Sequence, residues 1–238
     1  MLVKTKAIVL TSIKFGEADL IVKCYTLVGV KSYLLKGVLK SKSKKINAAY
    51  FQPLTILNLT ANHNYKGNLN YIKEARISFL YQTISTDIYK QTIAIFLSEV
   101  LANSLQEEDS DPALFSYLET ALQWLDTHDR TANFHLLFMF NLTKLLGFYP
   151  EVKNKDAQFF DLQEGCFTDI SPKFDYISGE KLNSFKSLIG TNFDVIHQLK
   201  FNANSRQSVL ESLIVYYELH LPGFRRPKSL EILKEIFR

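Results

Sequence analysis

Six lysines fall within fifteen residues near the start of the chain, and basic side chains at this density can bind phosphate groups. They are Lys31, Lys36, Lys40, Lys42, Lys44 and Lys45. No Asp or Glu occurs between Leu20 and Lys73 to neutralise them. Alternate positions in an extended loop lie on one side, so Lys40, Lys42 and Lys44 suit a phosphate backbone. We add Arg76 to this predicted nucleic-acid-binding set. A solvated surface loop is the alternative interpretation of such a run of charges.

Aromatic residues occur among and after these lysines, and aromatic rings can stack on nucleic-acid bases. The candidates for stacking are Tyr33, Tyr50, Phe51, Tyr65 and Tyr71. Each of them taken alone can equally belong to a hydrophobic core, so none is singled out. A basic groove with interleaved aromatic rings predicts binding of single strands without sequence preference.

A second basic group lies near the end of the chain and consists of Arg225, Arg226, Lys228 and Lys234. One interpretation is a solvated cluster at the end of a helix. The other is a contact for an anion, either nucleic acid or the acidic segment of a partner protein. We take Arg225, Arg226 and Lys228 as the candidate residues of this second anion site.

The residue patterns typical of enzymes do not occur in this sequence. It contains no Walker-type phosphate loop, Rossmann glycine fingerprint, Gly-x-Ser-x-Gly elbow or paired-histidine zinc motif. The five histidines are scattered, and the two cysteines, Cys24 and Cys166, argue against a disulfide framework and favour a reducing cytosol. We therefore predict no enzyme activity, no metal and no cofactor, with Cys24 as a core side chain.

The charge is divided unevenly along the 238 residues. Residues 1–80 carry 13 Lys+Arg and 3 acidic residues, a net charge of +10, whereas the remaining 158 residues carry 15 and 21, a net charge of −6. This division predicts a polyanion-binding segment joined to an ordinary globular one. Hydrophobic residues make up 47% of the chain, which argues against disorder. No signal peptide is visible, and no apolar run approaches the ~18 residues of a membrane span.

The first eighty residues predict five β-strands. Apolar and polar positions alternate in short runs that Gly and Asn residues separate, at residues 2–12, 20–27, 30–39, 51–61 and 68–75. A five-stranded barrel of the OB type fits this number of strands and this length, although spacing alone does not exclude other small β folds. We therefore predict an OB-type nucleic-acid-binding domain at residues 1–78.

From about Phe79 the hydrophobic period changes from 2 to 3.6, which predicts a helical domain at residues 79–238. Helices are predicted at residues 86–105, from Asp111-Pro112 onward, at 132–146, at 205–221 and after Ser229. Residues 151–175 interrupt this pattern and predict a small β-hairpin around Glu164-Gly165. The predicted fold class is therefore α+β, with a five-stranded OB-type barrel followed by a helical domain that carries a small hairpin insertion.

Several short motifs follow one another along the chain in a specific order. They are Lys4-Thr5-Lys6-Ala7-Ile8-Val9-Leu10, Phe15-Gly16-Glu17-Ala18-Asp19, Thr26, Gly29, Lys36-Gly37, Ser41 or Ser43 with Gln52-Pro53, Leu114-Phe115, Leu145-Leu146-Gly147-Phe148-Tyr149-Pro150 and Arg226-Pro227-Lys228-Ser229-Leu230. In this order they resemble the RecO family of bacterial recombination mediators, nearly from end to end. The resemblance implies an OB domain, a helical domain, binding to single- and double-stranded DNA and annealing of complementary strands. It also implies cooperation with RecR and with the acidic C-terminal tail of single-stranded-DNA-binding protein in loading a recombinase.

The sequence departs from that family in one region. Many members carry a four-cysteine zinc module after the segment that matches Gly147-Phe148-Tyr149-Pro150. Here residues 151–175 keep Cys166, with Phe159, Phe160 and Phe167 around it. We infer that a hydrophobic hairpin replaces the metal as the local support.

These observations predict a non-catalytic mediator of DNA repair and homologous recombination, cytoplasmic and nucleoid-associated. The expected partners are single- and double-stranded DNA, a RecR-like protein and the acidic tail of single-stranded-DNA-binding protein, with no membrane. The alternative is an RNA-binding OB protein in translation or RNA processing, because nothing in the basic groove obviously reads a 2′-hydroxyl. A third interpretation is an interaction scaffold whose lysines keep the barrel soluble.

Overall fold

A computed structural model describes residues 1–40, 46–64, 69–105 and 110–238 of the chain. Its packing divides the chain into two compact units, Met1–Thr127 and His128–Arg238. The first unit contains a β-barrel and two helices, and the second contains helices and a small sheet.

The barrel occupies the N-terminal part of the first unit. Its strands are β1 (Leu2–Phe15), β2 (Asp19–Thr26), β3 (Gly29–Leu35), β4 (Ile56–Asn62) and β5 (Asn70–Ile77). Within the described residues these strands close in the order β1-β2-β3-β5-β4, with β3 and β5 parallel and the other neighbours antiparallel. This topology confirms the predicted five-stranded OB-type barrel.

Alternate residues of the strands fill the barrel, as a period of 2 requires. Val9, Val22 and Leu57 belong to this core, and so does Cys24, which confirms its prediction as a core side chain. Burial raises the pKa of the Cys24 thiol, so the side chain stays neutral.

The strand predicted at residues 51–61 begins five residues late, at Ile56. Residues Ala48–Phe51 form a 3₁₀ turn, whose first residues are held by Asn47 Oδ1 accepting a hydrogen bond from Ala49 N at 3.0 Å. Pro53 then lacks the N–H that a strand ladder needs, and Leu54 adopts a φ of 60°. The apolar run therefore contains a turn as well as a strand.

Two helices complete the first unit, α1 (Ile88–Ser104) and α2 (Pro112–Thr127). The predicted cap of α2 is confirmed, because Asp111 Oδ1 accepts hydrogen bonds from Ala113 N at 2.7 Å and Leu114 N at 3.2 Å. The predicted boundary at residue 78 follows the last barrel strand directly, whereas packing places both helices in the same unit as the barrel. The division into domains at 1–78 and 79–238 stays a prediction.

The side chain of Asp126, near the end of α2, joins the helices to the segment that leaves the barrel. It is 1% exposed, and it accepts hydrogen bonds from Gln82 N at 2.9 Å, Thr83 N at 2.8 Å and Ile84 N at 2.9 Å. Lys90 Nζ of α1 donates to the backbone oxygen of Asp126 at 3.0 Å. Burial by itself raises the pKa of Asp126, but these amide hydrogen bonds outweigh it and hold the pKa below its ordinary value.

The second unit, all of whose residues are described, has a helical framework with a small sheet. Its helices are α3 (Phe134–Leu145), α4 (Gly179–Lys186), α5 (Ala203–His220) and α6 (Leu230–Ile236). The predicted hairpin is confirmed as β6 (Phe159–Asp161) and β7 (Cys166–Thr168). The insertion is longer than predicted, because β8 (Tyr176–Ser178) adds a third strand on the other side of β6. Three residues are too few for a period of 2 to reveal a strand.

Aromatic side chains hold this small sheet against the helices. Phe160 is fully buried, and its ring centre lies 4.8 Å from that of Phe167 and 4.9 Å from that of Phe185. Tyr216 of α5 also contacts Phe160, at 5.8 Å between ring centres, and its hydroxyl donates to Phe148 O at 2.8 Å. The small sheet is therefore held by packing between aromatic rings, and the hydrogen bond of the Tyr216 hydroxyl fixes the orientation of one of these rings.

We expect Asp126→Asn to lower the free energy of unfolding by about 2 kcal/mol at pH 7, because the charged acceptor of three amides is lost. A carboxylate whose folded-state pKa is depressed stabilises the fold above its unfolded pKa of about 4, and this contribution disappears as pH falls through the folded-state pKa. Urea unfolding of wild type and variant should therefore converge in acid. The exposed Asp129→Asn is the control. If Asp126→Asn lowered the free energy of unfolding as much in acid as at pH 7, the role of Asp126 as a charged acceptor would be contradicted.

We expect Gly165→Ala to destabilise the small sheet more than Gly190→Ala. Both glycines have positive φ, 67° and 74°, which costs alanine about 1–2 kcal/mol in either case. A Cβ at Gly165 would also lie 2.7 Å from Tyr216 Oη, whereas one at Gly190 meets nothing within 4 Å. Gly165→Ala should therefore lower the free energy of unfolding by about 1–3 kcal/mol more than Gly190→Ala, which urea unfolding can measure. Equal losses in the two variants would show that the Tyr216 side chain moves aside without an energetic cost.

Candidate nucleic-acid interface

Lys31 lies on β3, and Lys36 directly follows this strand. Lys31 is half-buried opposite Cys24 in the strand register. Burial, followed by the charges of Lys31 and of the N-terminal ammonium group, lowers the pKa of His63. Lys36 follows β3 and is exposed, and its Nζ lies 5.7 Å from the centre of the Tyr71 ring, a cation–π contact. The structure therefore places one predicted lysine beside a candidate stacking ring.

Lys40 has an acidic neighbour, so the expectation that no acid neutralises the lysines is wrong at this position. Its Nζ lies 2.9 Å from Oε2 of Glu17, in the turn between β1 and β2. The two side chains are 66% and 89% exposed, so the ion pair contributes less than about 1 kcal/mol and Lys40 can exchange Glu17 for a phosphate. The other predicted loop lysines, Lys42, Lys44 and Lys45, lie outside the described residues, and their role stays a prediction.

The aromatic candidates separate into core and surface residues. Tyr33 and Phe51 are buried in the barrel core, which rules them out as stacking platforms, and the Tyr33 hydroxyl lies 2.9 Å from His63 Nε2. Tyr50 is partly buried against the same core. Tyr71 is 44% exposed and keeps the predicted role, whereas Tyr65 lies outside the described residues. Residue type alone cannot make this distinction, because it depends on which strand face each ring occupies.

The outer side of β1, β4 and β5 carries a set of polar side chains, of which Arg76 alone belongs to the nucleic-acid-binding set predicted from the sequence. We call this set the outer barrel face; its residues are Lys4, Lys6, Asn58, Thr60, Lys73 and Arg76. In the strand register Lys6, Asn58 and Arg76 form one row across the sheet, and Lys4, Thr60 and Glu74 form the next. These two rows line a groove of about 460 Å³. Alternate polar positions within otherwise apolar strands were the sequence signal for this face.

Two cations of the outer barrel face have acidic partners. Arg76 Nη2 lies 2.8 Å from Glu74 Oε1 on the same strand, and Lys6 Nζ lies 2.7 Å from Glu119 Oε1 of α2. Within the described parts of the chain, no carboxylate lies within 4.0 Å of Lys4 or Lys73. The face therefore carries more basic than acidic side chains.

Side chains on the outer side of β2 contact both helices of the first unit, and α1 also packs against β1. Lys23 Nζ donates to the backbone oxygen of Ala102 in α1 at 2.9 Å. The Tyr25 ring stacks on Phe115 of α2 with 5.9 Å between ring centres, and its hydroxyl donates to Asp111 O at 3.2 Å. A ligand therefore has less access to β2 than to β4 and β5.

In the second unit, Arg226 of the predicted anion site pairs with carboxylates. Arg226 binds Glu218 through Nε at 2.8 Å and through Nη2 at 3.0 Å, and its Nη1 lies 2.5 Å from Glu211 Oε1. Burial by itself raises the pKa of Glu211, but Arg226 and Lys234 outweigh it and hold this pKa below its ordinary value. Arg225 and Lys228 are exposed on either side. Arg226 thus orients the segment that carries Arg225 and Lys228.

A closed OB-type barrel with basic side chains on its surface, followed by helices, defines a class of architecture found among nucleic-acid-binding proteins. Residues 1–81 match the family model for the recombination protein O N terminal, and residues 85–231 match the model for the recombination protein O C terminal. The chain therefore belongs to the RecO family.

Curated relatives agree with these matches over the full length of both chains. The chain is 49% identical to the DNA repair protein RecO of Christiangramia forsetii over 238 residues, which is 100% of each chain. It is 46% identical to that of Flavobacterium psychrophilum and 35% identical to that of Phocaeicola vulgatus, again over 100% of each chain. Membership of this family supports a role in DNA repair and recombination. Within the described ranges, no helix has both the length and the apolar character needed to cross a membrane.

The chain has two cysteines and therefore lacks the four-cysteine ligand set of the zinc module that many family members carry. The described residues contain no cluster of three or more His, Cys, Asp or Glu side chains arranged to hold a metal. Burial, followed by the charges of Asp161, Glu151 and Glu164, raises the pKa of Cys166 and disfavours the thiolate that zinc requires. The absence of zinc stays a prediction, and elemental analysis that returned one zinc per chain would contradict it.

We expect Arg226→Ala to lower the free energy of unfolding by about 1 kcal/mol, because an exposed ion-pair network is lost. The loss should shrink at about 1 M salt, where the Debye length is about 3 Å. Urea unfolding at low and high salt checks this, with exposed Lys228→Ala as a control expected to change stability little. A salt-independent loss would mean that Arg226 acts through packing instead.

Proposed function

We propose that this protein is a non-catalytic mediator that binds single- and double-stranded DNA, anneals complementary strands and helps to load recombinase onto coated strands. The observation that carries the proposal is a net charge of +10 within the first 80 residues, which form the OB-type barrel. Membership of the RecO family supports the same role. The proposed role requires no bond to be made or broken by the protein, so it includes no cofactor.

In this proposal, phosphate contacts from the barrel supply most of the affinity for DNA. The proposed DNA-binding residues are Lys31, Lys36, Lys40, Lys42, Lys44, Lys45 and Arg76. Each cation that takes a phosphate releases condensed counterions, and the resulting free energy does not depend on base sequence. Tyr71 adds base stacking next to Lys36. Binding without sequence preference suits annealing, because any pair of complementary strands must be accepted.

The second unit serves protein partners in this proposal. Arg225 and Lys228, oriented by Arg226, are proposed to contact the acidic C-terminal tail of single-stranded-DNA-binding protein, because adjacent cations suit a run of carboxylates. A RecR-like protein is the second proposed partner, and both take part in loading the recombinase. The proposed location is the cytoplasm, in association with the nucleoid.

The DNA-binding part of the proposal is tested by replacing Lys40, Lys42, Lys44 and Lys45 with alanine. Each phosphate contact contributes about −0.7 to the slope of log affinity against log salt for single strands, so the slope should flatten by up to about 3. The matched control removes four exposed lysines of the second unit, Lys144, Lys155, Lys173 and Lys200. Fluorescence anisotropy with an oligothymidine at several salt concentrations measures both. An unchanged slope in the first variant would remove these lysines from the site.

An annealing assay on complementary strands, coated beforehand with the cognate single-strand binder, tests the mediator role. Faster annealing with the protein present is the expected result, and charge reversal at Arg225 and Lys228 should reduce the acceleration on coated strands more than on naked ones. Tighter binding to matched RNA than to DNA would favour the RNA-binding alternative. Failure to bind any oligonucleotide at low salt would favour the scaffold.

A further inference from the structure

The barrel offers two surfaces of different accessibility to an extended strand. OB folds commonly bind nucleic acid across β2 and β3. In this protein α1 and α2 contact the outer side of β2, through Lys23 with Ala102 and through Tyr25 with Phe115, and α1 also packs against β1. The outer barrel face, which lies on the first residues of β1 and on β4 and β5, still borders an open groove. Access therefore favours the outer barrel face.

The side chains of the outer barrel face match the chemistry of a sugar–phosphate backbone. Its rows place a cation of β1 opposite a neutral hydrogen-bonding side chain of β4, with Lys6 opposite Asn58 and Lys4 opposite Thr60. Neighbouring strands lie about 4.8 Å apart, so the groups of one row can contact the same backbone segment. Lys73 falls at the register shift of β5 and is exposed, which adds a cation beside these rows.

The exposed ring of Tyr71 lies at one end of this face. Tyr71 pairs with Asn62 of β4, and Arg76 lies five residues further along β5, about 16 Å away at 3.3 Å per residue. Lys36 Nζ lies over the Tyr71 ring, so this predicted lysine adds a cation at the same end of the outer barrel face. A strand can therefore stack a base on Tyr71 and continue across the cations.

We propose that a single DNA strand runs along the outer barrel face, from Tyr71 across Lys73 and Lys4 to Arg76, and not across β2. This inference rests on the proposed function and assigns its binding path. Glu74 lies within the path and pairs with Arg76 at 2.8 Å, so it opposes the phosphate backbone and moderates the affinity. A moderate affinity suits a protein that must release the strand after annealing.

The test compares three variants of the full-length protein, with an oligothymidine of twenty nucleotides as the probe. The first replaces Lys4, Lys73 and Arg76 with alanine. The second is Glu74→Gln. The third is the charge-matched control, with Lys144, Lys155 and Lys173 replaced by alanine. Affinity is measured between low and moderate salt by fluorescence anisotropy.

The first variant should lose at least ~10-fold in affinity at about 0.1 M salt and flatten the salt slope by about 2, since three phosphate contacts are lost. Glu74→Gln should bind about two- to threefold more tightly, because a like charge leaves the path of the phosphates. Misfolding cannot produce this gain, so Glu74→Gln remains decisive even if the first variant is unstable. The control should bind like wild type.

Two results would overturn the path. One is a wild-type salt slope in the first variant together with unchanged affinity in Glu74→Gln, and the other is an equal loss in the control. In both cases wild type still binds the oligothymidine, so the proposed function stands and the path alone fails. Absence of binding by wild type at low salt would instead overturn the proposed function.

Discussion

The arrangement of the first unit depends on the buried carboxylate of Asp126. A charge in such a position is tolerable only when hydrogen bonds replace its water, and here three consecutive amides, those of residues 82–84, donate to it. These residues lie between the last barrel strand and α1, and Lys90 joins α1 to the same point. The interaction therefore ties α1 and the end of α2 to the segment that follows the last strand. It explains why α1 and α2 pack with the barrel although their sequence belongs to the segment that matches the C-terminal family model.

This constraint has a consequence for the barrel surface. With its connector held, the unit packs its helices on β1 and beside β2, where an aromatic stack and a lysine–carbonyl hydrogen bond contact the outer side. The first residues of β1 and the strands β4 and β5 still border a groove, and their polar positions form rows across the sheet. The net charge of +10 in the first 80 residues does not come from the lysine-rich segment alone, because Lys4, Lys6, Lys73 and Arg76 belong to the outer barrel face. In the proposed function, such a surface would bind a strand mainly through its phosphate backbone.

The sequence predicts the architecture well because periods of 2 and 3.6 are local. The barrel strands, the cap at Asp111 and the hairpin around Gly165 all follow from neighbouring residues. The site is less predictable because it depends on register. Glu17 lies beside Lys40 because the β1–β2 turn brings them together. Whether Tyr33 is buried or exposed depends on which side of β3 faces the barrel interior. Arg226 looked available to an anion in the sequence, yet its carboxylate partners lie 8 and 15 residues away on a helix.

Photochemical cross-linking of an oligothymidine to wild-type protein, followed by peptide mapping, tests the central claim most directly. The outer barrel face predicts cross-links within residues 2–6, 58–62 and 71–76, with Tyr71 as a prominent site because its ring is exposed there. Cross-links confined to β2 and its covering helices, or to the second unit, would contradict the account.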